Sequence, residues 1–248
     1  MVAKWLLRGM LAGVVAGLVT FAFARVVGEP QVDQAISFEQ KMDAAKGEPA
    51  EPELVSRPTQ AGLGLLTGVV VYGAAMGGLF SMVMAYAYGR VGRIDARGLS
   101  ALLALIAFVA IVVVPGLKYP ANPPSVGDPE TIGMRTGLYF TMLAVSIAAV
   151  VFASRIRLAT IARLGNWNAT IVGCVAYVVI VSIVELSLPV VNEVPSAFPA
   201  VVLWKFRIAA LGMQVVMWTT IGLLFGALVA RSVKEQGCVR GLSSPARL

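Results

Sequence analysis

Six stretches of the chain are apolar for long enough to cross a lipid bilayer, at residues 5–27, 61–88, 99–116, 136–154, 168–189 and 204–230. A hydrocarbon core of about 30 Å needs roughly 20 residues of helix, and the third and fourth stretches lie near the lower limit. The polar segments between them alternate in character. Residues 28–60 are acidic and residues 117–135 and 190–203 are rich in proline, whereas the intervening segments carry clusters of arginine. The pattern predicts an all-α, polytopic transmembrane helix bundle of about six spans over residues 1–231, with a cytoplasmic tail at 232–248.

Charge then sets the orientation. With the N-terminus inside, Lys4, Arg8, Arg90, Arg93, Arg97, Arg155, Arg157, Arg163, Arg231, Lys234, Arg240 and Arg247 face the cytoplasm, accompanied there by only Asp95 and Glu235. The outer side keeps 8 of the 20 basic residues and 11 of the 13 acidic ones. Cytoplasmic loops accumulate Lys and Arg, so both termini are expected in the cytoplasm. One competing reading concerns the first stretch. Lys4 and Arg8, the apolar run 9–21 and Ala22-Phe23-Ala24 also fit a cleavable signal peptide, which would leave five spans.

Composition agrees with a membrane protein and narrows the chemistry. The chain is 58% hydrophobic and 13% charged, where soluble domains carry roughly 25% charge. The net charge of +7 alone would admit nucleic acid, but its placement at alternate loops assigns it to membrane orientation, and no nucleic-acid partner is expected. Histidine is absent, which removes Ser-His-Asp and Cys-His catalysis and every imidazole metal site from this chain. Cys174 and Cys238 have no finger or redox spacing, and Cys174 is expected to be a buried, inert thiol. There is no phosphate loop, dinucleotide fingerprint or HExxH motif. No enzyme and no resident cofactor is expected.

Small residues recur four apart, at Gly9, Gly13 and Gly17, at Gly64/Gly68 and Gly73/Gly77, and at Gly222/Gly226. Such spacing lets helix backbones approach closely, within one bundle or between copies. Met76, Met82 and Met84, and the i, i+4 pair Met213 and Met217, read as core filling or as thioether ligands for a soft ion.

The chemistry-bearing residues crowd on the outer face. Proline-fixed backbone beside Asn122, Asp128, Glu130, Asn192 and Glu193 presents carbonyl and carboxylate oxygens, the ligands of hard or borderline divalent ions. Glu29 and Asp33, four apart, share a face if their segment is helical, and residues 32–44 can form a short amphipathic helix. Glu185 falls inside the fifth span, where an ionisable group needs a partner or a water cavity; Arg25, Arg135 and Arg207 are the candidates. The expected metal-facing set is Glu29, Asp33, Asn122, Asp128, Glu193 and Glu185, with Arg57, Arg135 and Arg207 holding the loops. The bland alternative is that these loops merely cap the helices.

The outer segments resemble a known family. Gly28-Glu29-Pro30 with Asp33, Ala35-Ile36, Ser56-Arg57 and Gln60 is similar to the first outer segment of the CbtA family of predicted cobalt transporter subunits. The likeness continues in Tyr119-Pro120-Ala121-Asn122-Pro123-Pro124, Val126-Gly127, Glu130-Thr131 and Arg135-Thr136. It closes with Asn192-Glu193-Val194-Pro195, Phe198-Pro199, Leu203-Trp204 and Phe206-Arg207. The resemblance implies uptake of Co2+ as a transported ion, capture at the outer acidic and proline-rich loops, and a bacterial inner membrane. It also implies a small histidine-bearing membrane partner of the CbtB type, which would supply any imidazole. The alternative from another class is a non-transporting accessory subunit of a larger membrane complex, its outer motifs serving as docking surface.

Overall fold

The structure is a computed structural model that describes residues 2–47, 55–92 and 94–242, with side chains up to Lys234. The tip of the first outer loop, Arg93, the side chains of Glu235 and Arg240, and Arg247 lie outside the described residues. Every regular element described is helical: α1 (Val2–Phe23), α2 (Glu29–Lys46), α3 (Arg57–Thr59), α4 (Leu65–Ala87), α5 (Ala96–Ala107), α6 (Val114–Lys118), α7 (Ile132–Ser187) and α8 (Ala200–Leu242), with a 3-10 turn at Pro129–Thr131. Five helices are long and apolar enough to cross a membrane: Ala3–Lys46, Arg57–Ala87, Ala96–Lys118, Pro129–Ser187 and Ala200–Lys234. The expected end of the last span near residue 230 is passed without a break, because α8 continues to Leu242.

The count of five against six expected stretches has a local cause. Gly165 leaves the helical region, with φ 74° and ψ 170°, a backbone state that side chains rarely tolerate. There α7 turns back on itself. The Ser146 and Tyr177 hydroxyls share a hydrogen bond of 2.8 Å, and a Cβ on Gly173 would press on the Ala153 carbonyl. Arg157 ties the turn by donating to Thr170 Oγ1 at 3.0 Å and Asn166 Oδ1 at 2.5 Å. Each step forward in one arm is matched by a step back in the other, so α7 is an antiparallel pair covering the fourth and fifth apolar stretches.

A second departure is the first helix, which runs from Ala3 to Lys46 instead of stopping near Val27. Pro30 lacks an N–H and its ring would collide with the carbonyl four residues back in a regular α-helix. The π-helical turn Ala24–Gly28 precedes it, and the widened turn absorbs the proline without ending the helix. Phe108–Val113 is π-helical in the same way just ahead of Pro115. A third such turn, Gln60–Gly64, follows α3.

The described chain divides into two compact units. Unit 1 comprises Met1–Pro30, Ala50–Ala107 and Ala209–Leu248. Its main contact is α1 on α4, where glycines face each other. A Cβ on Gly9 or Gly13 would overlap the carbonyl oxygen of Gly77 or Gly73, and the reverse also holds. Apolar segments have no hydrophobic drive to associate in lipid, so such close backbone packing is what joins them. The helix that also fits a signal peptide is thus a packed member of the unit, with Trp5, Ala12, Ala16 and Thr20 buried. Gly222 and Gly226 of α8 lie under Ala104 and Ser100, and the buried Ser100 hydroxyl donates to Gly222 O at 2.7 Å. Trp5, Phe80, Tyr88, Trp218 and Phe225 stack edge to face in one cluster. Gly68 does not take part in packing and has open space at its Cβ position.

Unit 2 comprises Gln31–Pro49 and Phe108–Ile208. One of its cores gathers Val114, Met142, Ala149 and Val181 around the α7 pair. The other joins α2 to the two proline-rich loops through Ala35, Val126 and Phe198, with Phe38, Val194, Val202 and Leu203 against them. Cys174, expected to be buried, is exposed on the α7 surface.

The glycine contacts carry a direct prediction. Gly13→Ala and Gly77→Ala should each lower the melting point of the detergent-solubilised protein, since overpacking costs about 1–3 kcal/mol. Gly137→Ala, with nothing within 4 Å of its Cβ position, should leave it unchanged or raise it. Thermal unfolding of the three variants decides this.

Candidate functional site

The loops expected on the outer face are built from short-range chemistry that the sequence makes explicit. Asp128-Pro129-Glu130-Thr131 is a capping sequence: Asp128 Oδ1 accepts the Glu130 N–H at 2.9 Å, and Pro129 sits at the first position of the 3-10 turn, where a missing N–H does no harm. The proline-rich stretch ahead of it is fixed at three points. The Ser125 hydroxyl donates to Ala35 O of α2 at 3.0 Å, with Ser125 itself in the left-handed region at φ 65°. Val126 is buried on Ala35. Arg207 of α8 donates to Asn122 Oδ1 at 2.9 Å and to Ala121 O at 3.3 Å. Phe38 and Phe198 close the packing edge to face, 5.0 Å apart at 71°.

Glu193 is the centre of this arrangement. Its Oε1 accepts the Thr131 hydroxyl at 2.6 Å and its Oε2 accepts the Asp128 N–H at 2.8 Å. Arg135 Nε stands 3.2 Å from Oε2, an ion pair by distance that lacks hydrogen-bond geometry at Nε. The second arm of the guanidinium donates to Asp128 O at 3.0 Å. The Thr131 hydroxyl, then the Asp128 N–H, hold the Glu193 carboxyl below the usual carboxylate value; they outweigh the desolvation that opposes them, and Arg135 adds a smaller push in the same direction. Gly127, at φ 126°, leaves the space that the Arg135 guanidinium occupies, which a Cβ would fill. Gly127, Asp128, Thr131, Arg135 and Glu193 therefore form one unit of structure.

The other expected residues fall into place around this pattern. In unit 1, Glu29 is buried and ion-paired with Arg57. The same unit has Arg25 donating to Ala61 O at 3.3 Å. In unit 2, Asp33 is exposed on α2, and Asp128 and Glu130 are exposed at the loop surface. Arginines thus meet three of the expected oxygen donors, Glu29, Asn122 and Glu193, in the loop-holding role anticipated for Arg57, Arg135 and Arg207. Among the described residues Glu185 lacks the partner expected for it. The helix ends at Ser187, so Glu185 lies in its last turn, half-buried, and makes no hydrogen bond or ion pair among the described residues. Arg25, Arg135 and Arg207, expected as its partners, make the contacts given above. Among the described residues no three His, Cys, Asp or Glu side chains gather closely enough to hold a metal ion.

Two contributors escaped the sequence reading. Thr131 was available as the turn residue of a capped Pro-Glu-Thr, and Ser125 as the polar residue between a proline pair and Val126. What neither pattern discloses is the tertiary acceptor, Glu193 in one case and the Ala35 carbonyl in the other.

Long apolar helices, arginine-rich and acidic segments in alternation, and outer loops tied by arginine define a polytopic membrane protein. The chain matches the CbtA family, described as a probable cobalt transporter subunit, over residues 2–230, and it belongs to that family. No curated protein and no solved structure matches it.

The Glu193 network is sensitive to acid in a definite direction. A carboxylate whose folded pKa is depressed stabilises the fold above its unfolded value, and that contribution is lost as pH falls through the folded pKa. Protection of the 126–131 amides from hydrogen exchange should therefore hold at neutral pH and fall once pH drops below the usual carboxylate range. Glu193→Gln should show the loss already at neutral pH. Exchange protection that is equal in both proteins at all pH values would refute the assignment.

Proposed function

We propose that this chain is the membrane-spanning subunit through which a divalent cation, cobalt in keeping with its family, is taken up across a bacterial inner membrane. The observation that carries this reading is the family match across residues 2–230. On this reading the two arms of α7 are separate spans, and the Lys and Arg bias of the alternate loops supports both termini in the cytoplasm with the acidic, proline-rich loops outside. The exposed carboxylates of Asp33 and Asp128 supply the first electrostatic capture. Asn122 and Glu193, each held by its arginine, complete the oxygen-bearing rim of unit 2, so the ion is met with water retained in its shell. Glu185, without a hydrogen bond or ion pair among the described residues, is the relay point beneath the rim.

The driving force needs no nucleotide. Moving charge inward down the membrane potential is worth roughly 2.3 kcal/mol per charge per 100 mV, and about twice that for a divalent ion. A subunit works within a complex. Because this chain contains no histidine, a small histidine-bearing membrane partner of the CbtB type supplies the imidazole ligands that the ion meets next.

Radioactive cobalt uptake in the native cell tests the proposal. Deletion should reduce uptake to background, and Asp33→Asn combined with Asp128→Asn should lower it about tenfold at equal protein level, the scale usual when a metal-supporting group is lost. Uptake unchanged by deletion would remove transport and leave the accessory role.

A further inference from the structure

We infer that unit 1 carries a binding site for an anionic phospholipid headgroup at the end expected in the cytoplasm. It is formed by Lys4 and Arg8 of α1, Arg97 of α5, and Arg231 and Lys234 of α8. The inference uses only the membrane-spanning class of the chain and stands independently of the uptake reading.

The packing of unit 1 brings these residues to one end. Trp5 of α1 meets Tyr88, at the close of α4, and Phe225 of α8, with ring centroids 5.5 and 6.4 Å apart. A Cβ on Gly226 would lie 3.2 Å from the Arg97 Cα. At about 1.5 Å of rise per residue, each of the basic residues falls within roughly 12 Å of the nearest of these contacts along its helix.

Among the described residues nothing balances their charge. Lys4, Arg97, Arg231 and Lys234 are exposed and Arg8 is half-buried, and none of them makes a hydrogen bond or ion pair there. Arg90, at the same end, behaves otherwise: it donates to Tyr86 O at 2.6 Å and lies over the Tyr86 ring. Asp95, two residues from Arg97, turns its carboxylate to the Gly98 N–H at 3.1 Å. Lys4 and Arg8 stand four apart on α1, and Arg231 and Lys234 three apart on α8. Like charges at these spacings share a face and repel. An anion from outside relieves both pairs.

The surroundings identify that anion as the head of a lipid. Trp and Tyr settle at the headgroup level of a bilayer, and the Trp5–Tyr88 pair puts that level at the basic residues. Further along the same helices the exposed side chains are apolar, among them Leu11 on α1, Leu105 on α5 and Leu223 on α8. A molecule with a phosphate at one end and acyl chains beneath it matches both zones, and the stems of Lys and Arg lie along the apolar zone while their charges reach the phosphate. A free anion matches only the first zone. Clusters of Lys and Arg at the cytoplasmic ends of spanning helices recognise anionic lipids in this way.

The test is the affinity of the purified full chain, in an uncharged detergent, for phosphatidylglycerol and for phosphatidylcholine, read by native mass spectrometry with melting curves alongside. Each Lys or Arg near an anionic surface strengthens attachment about fivefold, so Arg8→Gln combined with Arg97→Gln should weaken phosphatidylglycerol binding about 25-fold and leave phosphatidylcholine binding unchanged. Phosphatidylglycerol should raise the melting point of the parent, as a ligand of the folded state does, and lose that effect on the variant. Arg8→Lys combined with Arg97→Lys keeps both charges and should retain binding within a few-fold; loss of binding there, in a protein that melts like the parent, removes the charge-based site. Arg155→Gln combined with Arg163→Gln takes the same charge from exposed positions of α7 in unit 2 and should leave the affinity at the parental level. Equal losses in the two glutamine variants would mean diffuse attraction to net charge, and the inference fails. It fails also if the parent binds the two lipids alike, or if inorganic phosphate alone raises the melting point as far as phosphatidylglycerol does.

Discussion

Hydrocarbon offers no hydrogen-bond partner to the backbone, and every feature of this chain follows from satisfying that demand internally. It selects helices throughout and makes each proline within a span a local problem. Two of the π-helical turns stand directly before Pro30 and Pro115, where a regular helix would be both one donor short and sterically blocked. It also removes the hydrophobic drive between helices, which leaves close approach as the means of association. The facing glycines of α1 and α4, and the Ser100 to Gly222 hydrogen bond between α5 and α8, are two forms of that approach.

Outside the hydrocarbon the logic reverses, because water competes for every polar contact. There the structure relies on converging bonds and not on isolated ones. Glu193 accepts from two residues of another loop while Arg135 spans both. The buried patch of Ala35, Val126 and Phe198 excludes water from behind the same loops. A carboxylate fixed in this way is poorly suited to enclose a bare ion, since its lone pairs are already engaged. It is well suited to keep a fixed field at a rim, which is how the outer oxygens enter the uptake reading.

The helical class, the apolar stretches and the arginine anchoring of the loops were legible in the sequence because each depends on local composition. The four-residue glycine spacing identified the α1–α4 surface, although Gly68, on the same spacing, proves to face open space. Other features depend on context that a pattern does not carry. The run of Gly28-Glu29-Pro30 reads as a stop signal, and only the π-turn ahead of it shows that the helix continues. Glu185 reads as a residue that needs an arginine partner, and only the structure shows that Arg25, Arg135 and Arg207 are engaged elsewhere.

The cross-tied outer loops also bear on time. A loop that must order itself around an arriving ion slows association, because many encounters end before the ordering is complete. Here Ser125, Arg135, Glu193 and Arg207 fix the loops during folding, so the conformational entropy has been lost before any ion arrives. On the uptake reading proposed above, an ion therefore meets loops that are already ordered, and its arrival waits on no folding step.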